Sequence, residues 1–325
     1  MEVSSLFSLL FLLLLFPIPL LLYLIVRPRP VKIPIKNRHV FITGGSSGIG
    51  LAIARQAASE GAKVSILARN AEKLEDAKRA IRAATGCDVG VFSADVRDFD
   101  AVRRAVEEAG PVDVLVCNQG VFVAEEVERQ DMEEVKWMID VNLTGTFNLI
   151  KVALPGMKKN RGERGPGSIA IMSSQAGQVG IYGYAAYSAS KFGLRGLAEA
   201  LQQEVIAHDI HVSLIYPPDT DTPGLAEESK KRPRITSLLA AFSGPMKAEE
   251  VAKKTLDGIK CGRFSVPCDI DGLAITIATA GMSPQRSFLM ALVEVFAAGI
   301  LRIVALCFQF NWYRTIEKYY LPMKK

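Results

Sequence analysis

Residues 39–50 read HVFITGGSSGIG, so a short apolar stretch runs directly into a glycine-rich turn. A helical pattern follows at residues 51–60, and a second apolar stretch follows at residues 63–68. This order of strand, glycine turn, helix and strand is typical of the βαβ unit that binds nucleotides. The stretch therefore predicts a parallel sheet with a phosphate site at its first turn.

The turn itself contains the residues that such a phosphate site needs. Gly44, Gly48 and Gly50 permit a tight turn and let backbone N–H groups approach a pyrophosphate at a helix N-terminus. Ser46 and Ser47 add hydroxyl donors. The spacing is Gly-x-x-x-Gly-x-Gly, which differs from the common Gly-x-Gly-x-x-Gly pattern. Its position after a strand and before a helix is what makes the turn a candidate cofactor site.

Four further apolar segments follow, separated by helical patterns at residues 135–153 and from Tyr187 to about residue 207. These segments lie at residues 88–94, 112–117, 168–172 and 211–215. They end respectively at Asp95-Val96, at Asn118-Gln119-Gly120, at Ser173-Ser174 and at Tyr216-Pro217-Pro218. This alternation predicts an α/β fold with a doubly wound parallel sheet. Ligands of such sheets bind beyond the carboxyl ends of the strands, where all four endings lie.

The end of the second predicted strand distinguishes between the two nicotinamide dinucleotides. Sites for NAD place an Asp or Glu there to bind the ribose 2′-hydroxyl, whereas an Arg accommodates the 2′-phosphate of NADP. Here the strand ends at Arg69-Asn70, with Lys73 one helical turn later and no acid beside them. Because a guanidinium binds phosphate bidentately, these cations predict NADP(H). The alternative is that Arg69 only caps a loop.

Tyr187 and Lys191 lie four residues apart, one turn from each other on the same face of a helix. A nearby ammonium favours the ionised form of a phenol, so the pair can act as an acid and a base near neutral pH. Ser173 and Ser174 end the fifth strand, where a hydroxyl can polarise a substrate carbonyl. The plain alternatives are a solvated Tyr–Lys pair on a helix surface and a serine that caps a helix or forms a turn.

The composition indicates the class of protein and the cellular compartment. The chain has 325 residues, five cysteines and a formal net charge of +5. The length accommodates one large domain plus appendages. The cysteines are odd in number and form no Cys-x-x-Cys pair, so neither a disulfide framework nor a zinc site is indicated. The basic residues cluster beside apolar stretches, which indicates a membrane surface rather than nucleic acid.

Residues 6–26 form an uncharged apolar stretch just long enough to span a bilayer as a helix. Basic residues follow at Arg27, Arg29, Lys32, Lys36 and Arg38. By the positive-inside rule, that end and the domain after it face the cytoplasm. The alternative is a cleaved signal peptide, but no basic residue precedes the stretch and no small-residue cleavage site follows it. We therefore expect a membrane anchor.

The last third of the chain mixes polar and apolar segments. Residues 219–245 predict a polar flap over the site, and residues 247–259 predict an amphipathic helix. Residues 287–310 are long enough to span a bilayer, but Glu294 and Arg302 interrupt them and are costly in lipid. An interfacial or re-entrant hairpin, a true span, and a soluble helix packed on the core or in a dimer all remain open.

Taken together, these motifs resemble the short-chain dehydrogenase/reductase family over residues 38–223. The motifs are Thr43-Gly-x-x-x-Gly-x-Gly50, Asp95-Val96, Asn118-x-Gly120, Asn142, Ser174 and Tyr187-x-x-x-Lys191. The resemblance implies a Rossmann fold with Ser174, Tyr187 and Lys191 as catalytic residues, Lys191 lowering the pKa of Tyr187. Ser174 is preferred over Ser173 because it lies thirteen residues before Tyr187, as in the family.

The same resemblance assigns roles to the other strand endings. Asn142 would hold the water that feeds protons to Lys191. Asp95, Val96 and Asn118 would line the adenine and central parts of the cofactor site, and Pro217 and Thr220 would hold the nicotinamide carboxamide. One departure is Gln119, where the family usually has Ala. It either places a polar group near the cofactor or stabilises the central sheet differently.

Within that family, the runs at residues 173–178, 196–202 and 216–224 resemble membrane-anchored reductases of long-chain sphingoid ketones. This likeness implies NADPH-dependent reduction of a 3-keto group at the cytosolic face of the endoplasmic reticulum. Rival functions are a membrane-bound reductase of steroid, retinoid or fatty-acyl ketones, and a non-catalytic NADPH-binding scaffold.

The expected organisation is an anchor at residues 1–30, a reductase domain at residues 31–267 and an apolar membrane-associated segment at residues 268–325. The expected partners are the sphingoid ketone, the lipid bilayer and a second copy of the chain, paired through the helices of Asn142 and Tyr187. No nucleic acid and no metal are expected.

Overall fold

The computed structural model describes residues 17–26, 31–159, 161–240 and 244–321. Within these residues the strands are β1 (His39–Thr43), β2 (Lys63–Ala68), β3 (Gly90–Ser93), β4 (Val114–Cys117), β5 (Gly167–Met172), β6 (Ile210–Tyr216), β7 (Thr220–Asp221), β8 (Met246–Lys247) and β9 (Ser265–Pro267). Seven of them form one sheet in the order β3-β2-β1-β4-β5-β6-β9, and every pairing in it is parallel. β7 and β8 form a separate parallel pair. The predicted doubly wound Rossmann sheet is confirmed.

Helices cover both faces of the sheet. They are α1 (Pro17–Val26), α2 (Gly48–Ser59), α3 (Ala71–Thr85), α4 (Phe99–Ala109), α5 (Met132–Ile139), α6 (Gly145–Lys158), α7 (Arg161–Arg164), α8 (Ala185–Val205), α9 (Pro223–Ser229), α10 (Arg234–Ala240), α11 (Ala248–Lys260), α12 (Ile270–Ala278) and α13 (Phe288–Tyr320). A π-helical segment, Asp140–Thr144, joins α5 to α6, so the single helix predicted at residues 135–153 is interrupted.

Two apolar layers sandwich the sheet. In β1, Val40 and Ile42 belong to the layer packed by α2, α3 and α11, whereas Phe41 belongs to the layer packed by α4, α6 and α8. All five residues of β1 are buried, as expected for a central strand of a parallel sheet covered on both faces. The sheet order reverses between β1 and β4, and the crevice at such a reversal is where doubly wound folds bind ligands.

The polar segment at residues 219–245, predicted as a flap, contains more structure than expected. It includes β7, α9 and α10, and β7 pairs with β8 immediately before α11. Thr222 begins α9 by accepting a hydrogen bond from the Leu225 N–H at 3.2 Å. The seventh strand of the main sheet, β9, was not predicted.

The C-terminal region is dominated by one helix. α13 runs through 33 residues without a break and spans about 50 Å at a helical rise. Residues 288–310 thus lie within one continuous helix, which α12 precedes, and the choice among an interfacial or re-entrant hairpin, a true span and a packed helix stays a prediction. α13 is the one helix among the described residues long and apolar enough to cross a membrane, and its most apolar window is 6% buried.

Contacts at both ends fix α13 to the rest of the molecule. At its start, Phe288 packs edge-on against Tyr23 of α1, with ring centroids 5.8 Å apart. At its end, the Tyr320 hydroxyl donates to Glu126 at 2.9 Å and lies 2.6 Å from the Tyr182 hydroxyl. Of the predicted anchor at residues 1–30, α1 is described, whereas Arg27, Arg29 and most of the apolar stretch lie outside the described residues.

Candidate active site

A pocket of about 810 Å³ lies at the carboxyl ends of the strands, lined by the turns that follow β1 to β6. It brings together most of the site residues that the sequence indicated: Gly44, Ser46, Ser47, Gly48, Arg69, Lys73, Asp95, Val96, Asn118, Ser174, Tyr187, Lys191, Pro217 and Thr220. Two of the predicted residues, Gly50 and Asn142, are buried and do not line it.

The glycine turn forms the floor of one end of the pocket. Gly44 and Gly48 have φ angles of +63° and +52°, a backbone conformation that favours glycine. A Cβ on Gly50 would lie 2.2 Å from the Gly44 carbonyl oxygen, so Gly50 lets α2 approach the turn closely. Ser47 precedes α2 without a side-chain cap hydrogen bond, which leaves its hydroxyl and the first helical N–H groups for a ligand. The turn fits a pyrophosphate.

The end of β2 presents cations to the same pocket. Arg69 and Lys73 are exposed, and neither has an ion-pair partner within the described part of the chain. Asn70 begins α3 by accepting a hydrogen bond from the Lys73 N–H at 2.8 Å, which places both cations on one rim. The nearest acid of the pocket, Asp95, pairs with Arg97 at 2.7 Å, and this guanidinium holds the Asp95 pKa below its usual value.

Asn118 and Gln119 join the ends of β1 and β4. The Asn118 side-chain amide donates to the Thr43 carbonyl oxygen at 3.1 Å. The Gln119 side chain points inward, bonded to the Thr43 hydroxyl at one end and donating to the Thr146 hydroxyl at 2.8 Å at the other. The family usually has Ala in place of Gln119, and two roles were expected for the glutamine. Of these, stabilisation of the central sheet matches the observed hydrogen bonds.

The reactive side chains meet at the opposite end of the pocket. Tyr187 and Lys191 share one face of α8, and Ser174 follows β5. Lys191 Nζ lies 5.6 Å from the centroid of the Tyr187 ring and donates a hydrogen bond to the Met172 carbonyl oxygen at 2.9 Å. Ser174 is close enough to the phenol to favour its ionised form. The three side chains therefore surround one position where a carbonyl oxygen can bind.

The pKa of Tyr187 differs from the expected direction. Its pKa is raised to about 12, mainly by burial and also by the charges of Asp219 and Glu228, and against the lowering effect of the Ser174 hydroxyl. Burial lowers the pKa of Lys191 to about 8. The expectation that Lys191 lowers the pKa of Tyr187 is therefore wrong for the protein alone, because the ammonium faces the ring and a backbone carbonyl, and desolvation dominates.

Asn142 lies in the π-helical segment and is fully buried. Its side-chain oxygen accepts from the Val121 N–H at 2.8 Å, and its amide donates to the Val121 carbonyl and the Ser190 hydroxyl, each at 2.9 Å. A Cβ on Gly120 would lie 3.4 Å from Lys191 Nζ and 3.7 Å from the Asn142 oxygen, so these two groups flank Gly120. Its part in a proton relay stays a prediction.

Several pocket residues were not identified from the sequence. Phe122 and Tyr184 pack against the Tyr187 ring, with centroids 5.5 and 5.7 Å away, and form the wall of the substrate end. Tyr184 lies three residues before Tyr187, and that helical spacing was the available signal. Phe122 lies within the loop after β4, so no periodicity identifies it.

Comparison with known proteins places this geometry in a family. Residues 38–233 match the family model described as short chain dehydrogenase. This match covers more than half of the chain and contains the glycine turn, Ser174, Tyr187 and Lys191. The chain belongs to the short-chain dehydrogenase/reductase family. It is therefore an oxidoreductase of the class that uses a nicotinamide cofactor.

Relatives in that family match the chain almost from end to end. It is 62% identical to 3-dehydrosphinganine reductase TSC10B of Arabidopsis thaliana, over 99% of this chain and 98% of the relative. It is 64% identical to 3-dehydrosphinganine reductase TSC10A of the same plant, over 91% and 90%. The 3-ketodihydrosphingosine reductase of Mus musculus is 39% identical, over 88% of each chain.

Solved structures share the fold at lower identity. A short-chain dehydrogenase/reductase of Burkholderia phymatum in complex with NAD superposes with a TM-score of 0.66 at 25% identity, covering 78% of this chain and 98% of that one. L-Sorbose reductase of Gluconobacter frateurii, complexed with NADPH and L-sorbose, gives 0.64 at 26% identity, covering 73% and 96%. The two neighbours thus hold different dinucleotides, and the choice between them depends on this chain's own residues.

Proposed function

We propose that this protein reduces the 3-keto group of 3-ketodihydrosphingosine to dihydrosphingosine with NADPH, a step of sphingolipid synthesis. The observation that carries the proposal is the 62% identity to a 3-dehydrosphinganine reductase over 99% of the chain. The pocket supports it, because Ser174, Tyr187 and Lys191 line the same cavity as the glycine turn. A non-catalytic scaffold would have no need to keep these three groups together.

The roles of the catalytic residues follow from their positions. When bound, the cofactor supplies the hydride to the carbonyl carbon. Ser174 and Tyr187 donate hydrogen bonds to the ketone oxygen, and Tyr187 transfers its proton as the alcohol forms. The raised pKa of Tyr187 keeps the phenol protonated at neutral pH, which suits a proton donor. Lys191 holds the nicotinamide ribose, and Asn142 positions the water that returns a proton.

NADPH is proposed over NADH on the residues at the end of β2. Arg69 and Lys73 line the pocket without ion-pair partners among the described residues, whereas Asp95 is neutralised by Arg97. An unpaired guanidinium beside an ammonium suits a 2′-phosphate, and no free carboxylate there repels one. Asp95 and Val96 would contact the adenine.

The remaining cofactor contacts come from the turns after β1, β4 and β6. The backbone of Gly44 and Gly48, with the hydroxyls of Ser46 and Ser47, would hold the pyrophosphate. Asn118 would lie under the central part of the dinucleotide. Pro217 and Thr220, which line the pocket after β6, would hold the nicotinamide carboxamide.

We further propose that residues 1–30 and 268–325 associate with the bilayer, while residues 31–267 form the reductase domain on the cytosolic side of the endoplasmic reticulum. The support is α13, whose apolar side chains are widely exposed, for example Leu289, Ile300 and Ile303. An alkyl chain leaving the pocket towards this region would enter lipid. Basic residues near Lys32 and Lys36 favour the cytosolic orientation.

Pairing of two copies through the helices of Asn142 and Tyr187 is also proposed. Phe147 on α6 and Phe192 on α8 are 50% and 42% exposed, which is unusual for aromatic side chains without a partner surface. In a dimer, both rings would be buried against the second copy, which would explain why they are exposed in a single chain.

The test is NADPH oxidation by the purified full-length protein in lipid, with 3-ketodihydrosphingosine, a steroid ketone and retinal as separate substrates. The proposal expects rapid oxidation with the sphingoid ketone and little with the others. Preference for the steroid or retinal would support the rival membrane reductases. Binding of NADPH without oxidation in any of the three would support a scaffold.

A further inference from the structure

A hydrogen-bonded network borders the substrate end of the pocket, beyond the catalytic residues. The Tyr184 hydroxyl donates to Glu228 Oε1 at 2.6 Å. Arg232 donates from Nε to both oxygens of Glu228, at 3.0 and 2.9 Å, and from a terminal nitrogen to Asp219 Oδ2 at 2.8 Å. Arg232 also lies over the Tyr184 ring, 5.8 Å from its centroid. The network ties α9 and the loop after it to the wall of the pocket.

The charges in this network do not cancel. Glu228 and Asp219 carry one negative charge each and Arg232 carries one positive charge, so one negative charge remains. Glu228 is enclosed, with its side chain 2% exposed, and its oxygens are occupied by Tyr184 and Arg232. The uncompensated charge is therefore available at Asp219, whose side chain is 43% exposed and which lines the pocket.

Asp219 is held in place while one of its oxygens remains free. Oδ2 accepts the hydrogen bond from Arg232, whereas Oδ1 has no side-chain partner among the described residues. The Asp219 backbone carbonyl accepts from the Met246 N–H at 2.9 Å, which fixes the main chain as well. A carboxylate that is oriented, charged and half-open to a pocket is suited to bind a cation.

The proximity of Asp219 to the reaction centre limits which cation that is. Asp219 and Tyr187 line the same pocket. Arg232, which is bonded to Asp219, lies over the Tyr184 ring, and that ring packs against Tyr187. A cation bound to Asp219 would therefore lie at the same end of the pocket as the ketone that Tyr187 protonates. In 3-ketodihydrosphingosine the amino group is on the carbon next to the ketone, so the substrate carries its cation at that place.

We propose that Asp219 binds the ammonium group of an α-amino ketone substrate and thereby selects it over uncharged ketones. Arg232 positions Asp219, and Glu228 neutralises Arg232, so that the charge of Asp219 is left for the substrate. This inference rests on the proposed function and adds to it the residue that recognises the amino group.

The experiment compares two ketones in three proteins. The ketones are 3-ketodihydrosphingosine and an analogue of the same chain in which hydrogen replaces the amino group. The proteins are the full-length wild type, Asp219→Asn and the control Asp221→Asn. Asparagine keeps an oxygen that can accept from Arg232, so Asp219→Asn removes the charge with little change of shape. Asp221 is exposed and does not line the pocket.

We expect Asp219→Asn to lower kcat/KM for the amino ketone by roughly 10- to 100-fold, the range of a charge-assisted hydrogen bond, and to leave the amine-free ketone almost unchanged. Asp221→Asn should behave like the wild type with both. NADPH binding, followed by fluorescence, shows whether each protein is folded.

Equal losses with both ketones, or no loss with either, would overturn the role of Asp219 while leaving the proposed function intact. A wild-type protein that reduces neither ketone would instead overturn the proposed function, and this inference with it.

Discussion

Burial displaces the pKa values of the two central side chains so that both favour their neutral forms. Tyr187 is raised to about 12 and Lys191 is lowered to about 8. For ketone reduction a neutral phenol is the useful state, because it carries the proton to be transferred. The same desolvation makes Lys191 a group whose charge changes within an accessible pH range.

The first prediction concerns the titration of Lys191. Because burial disfavours the ammonium, its midpoint should lie near pH 8, well below the value of about 10.4 typical of exposed lysines. Nuclear magnetic resonance of protein labelled at lysine would follow each Nζ, with Lys191→Met identifying the signal. A Lys191 midpoint at or above the value of about 10.4 for exposed lysines would contradict the structure.

The second prediction concerns Arg69 and the choice of dinucleotide. Arg69→Ala removes a guanidinium from the 2′-phosphate site, so Kd for NADPH should rise by roughly 10- to 100-fold while Kd for NADH changes little. Arg79→Ala on α3, the helix that follows Arg69, is the control, since Arg79 pairs with Asp76 outside the pocket. Calorimetry measures both dinucleotides. An Arg69→Ala protein with the wild-type ratio of the two Kd values would refute the assignment.

For single residues, the sequence was informative where the spacing along the chain determines which side chains meet. Tyr187 and Lys191 are one turn apart in any helix, and residues that end parallel strands meet at one edge, so their convergence was predictable. The pocket walls formed by Phe122 and Tyr184 depend on how loops pack, and the displaced pKa values depend on burial. Apart from the helical spacing of Tyr184 and Tyr187, neither property can be read from local sequence.

The π-helical segment, Asp140–Thr144, determines how the side chains behind the pocket are arranged. It places Asn142 beneath the loop after β4, where three hydrogen bonds join the segment to Val121 and to Ser190 of the catalytic helix. Asn142 therefore connects α8, which carries Tyr187, to the loop that carries Gly120. Its removal should disturb stability as well as turnover.

The third prediction is that Asn142→Ala destabilises the protein. It leaves the half-buried Val121 N–H and carbonyl without partners and removes a buried hydrogen bond to the Ser190 hydroxyl, so the free energy of unfolding should fall by roughly 2–4 kcal/mol. Asn148→Ala is the control, because Asn148 donates from a half-buried position to the Val96 carbonyl at 2.9 Å, and its loss should cost about 1 kcal/mol. Urea unfolding followed by circular dichroism compares them. Equal stabilities of the two variants would argue against this role of Asn142.

Strands and helices were predictable where the pattern of apolar residues is long and uninterrupted. The six strands from β1 to β6 were predicted within a few residues, because parallel strands buried on both faces are continuously apolar. β9 has three residues and ends at Pro267, and its pairing with β6 is decided by tertiary packing. The helices of residues 219–245 were missed since each has seven residues and little apolar period.

On the scale of the whole molecule, a pocket at the ends of the strands and an exposed apolar helix belong to the same chain. The Tyr320 end of α13 is bonded to Glu126, in the loop between β4 and α5, and to Tyr182, shortly before the catalytic helix. The proposed membrane segment is thus connected to the region around the pocket. The orientation of the domain relative to the membrane is a prediction, and it rests on the proposed use of cytosolic NADPH.

The fourth prediction concerns that orientation. Asn142-Leu143-Thr144 is an N-glycosylation sequon, and Asn142 is fully buried against the site, so a glycan there would prevent folding. In intact microsomes the wild-type protein should carry no glycan at Asn142, and protease added outside should digest residues 31–267. A luminal protein that stays protected until detergent is added is the control. Protection of the domain, or a mobility shift after glycosidase, would place it in the lumen.

The most direct test of the central claim is transfer of deuterium from NADPH, labelled at the reactive nicotinamide carbon, to 3-ketodihydrosphingosine. The account predicts that wild-type protein forms dihydrosphingosine with deuterium at the former ketone carbon. It also predicts that Tyr187→Phe lowers the rate by roughly 100-fold or more, although NADPH still binds. Tyr313→Phe, which removes the same atom from an exposed side chain on α13, should leave the rate unchanged. Absence of labelled product, or wild-type turnover in Tyr187→Phe, would contradict the account.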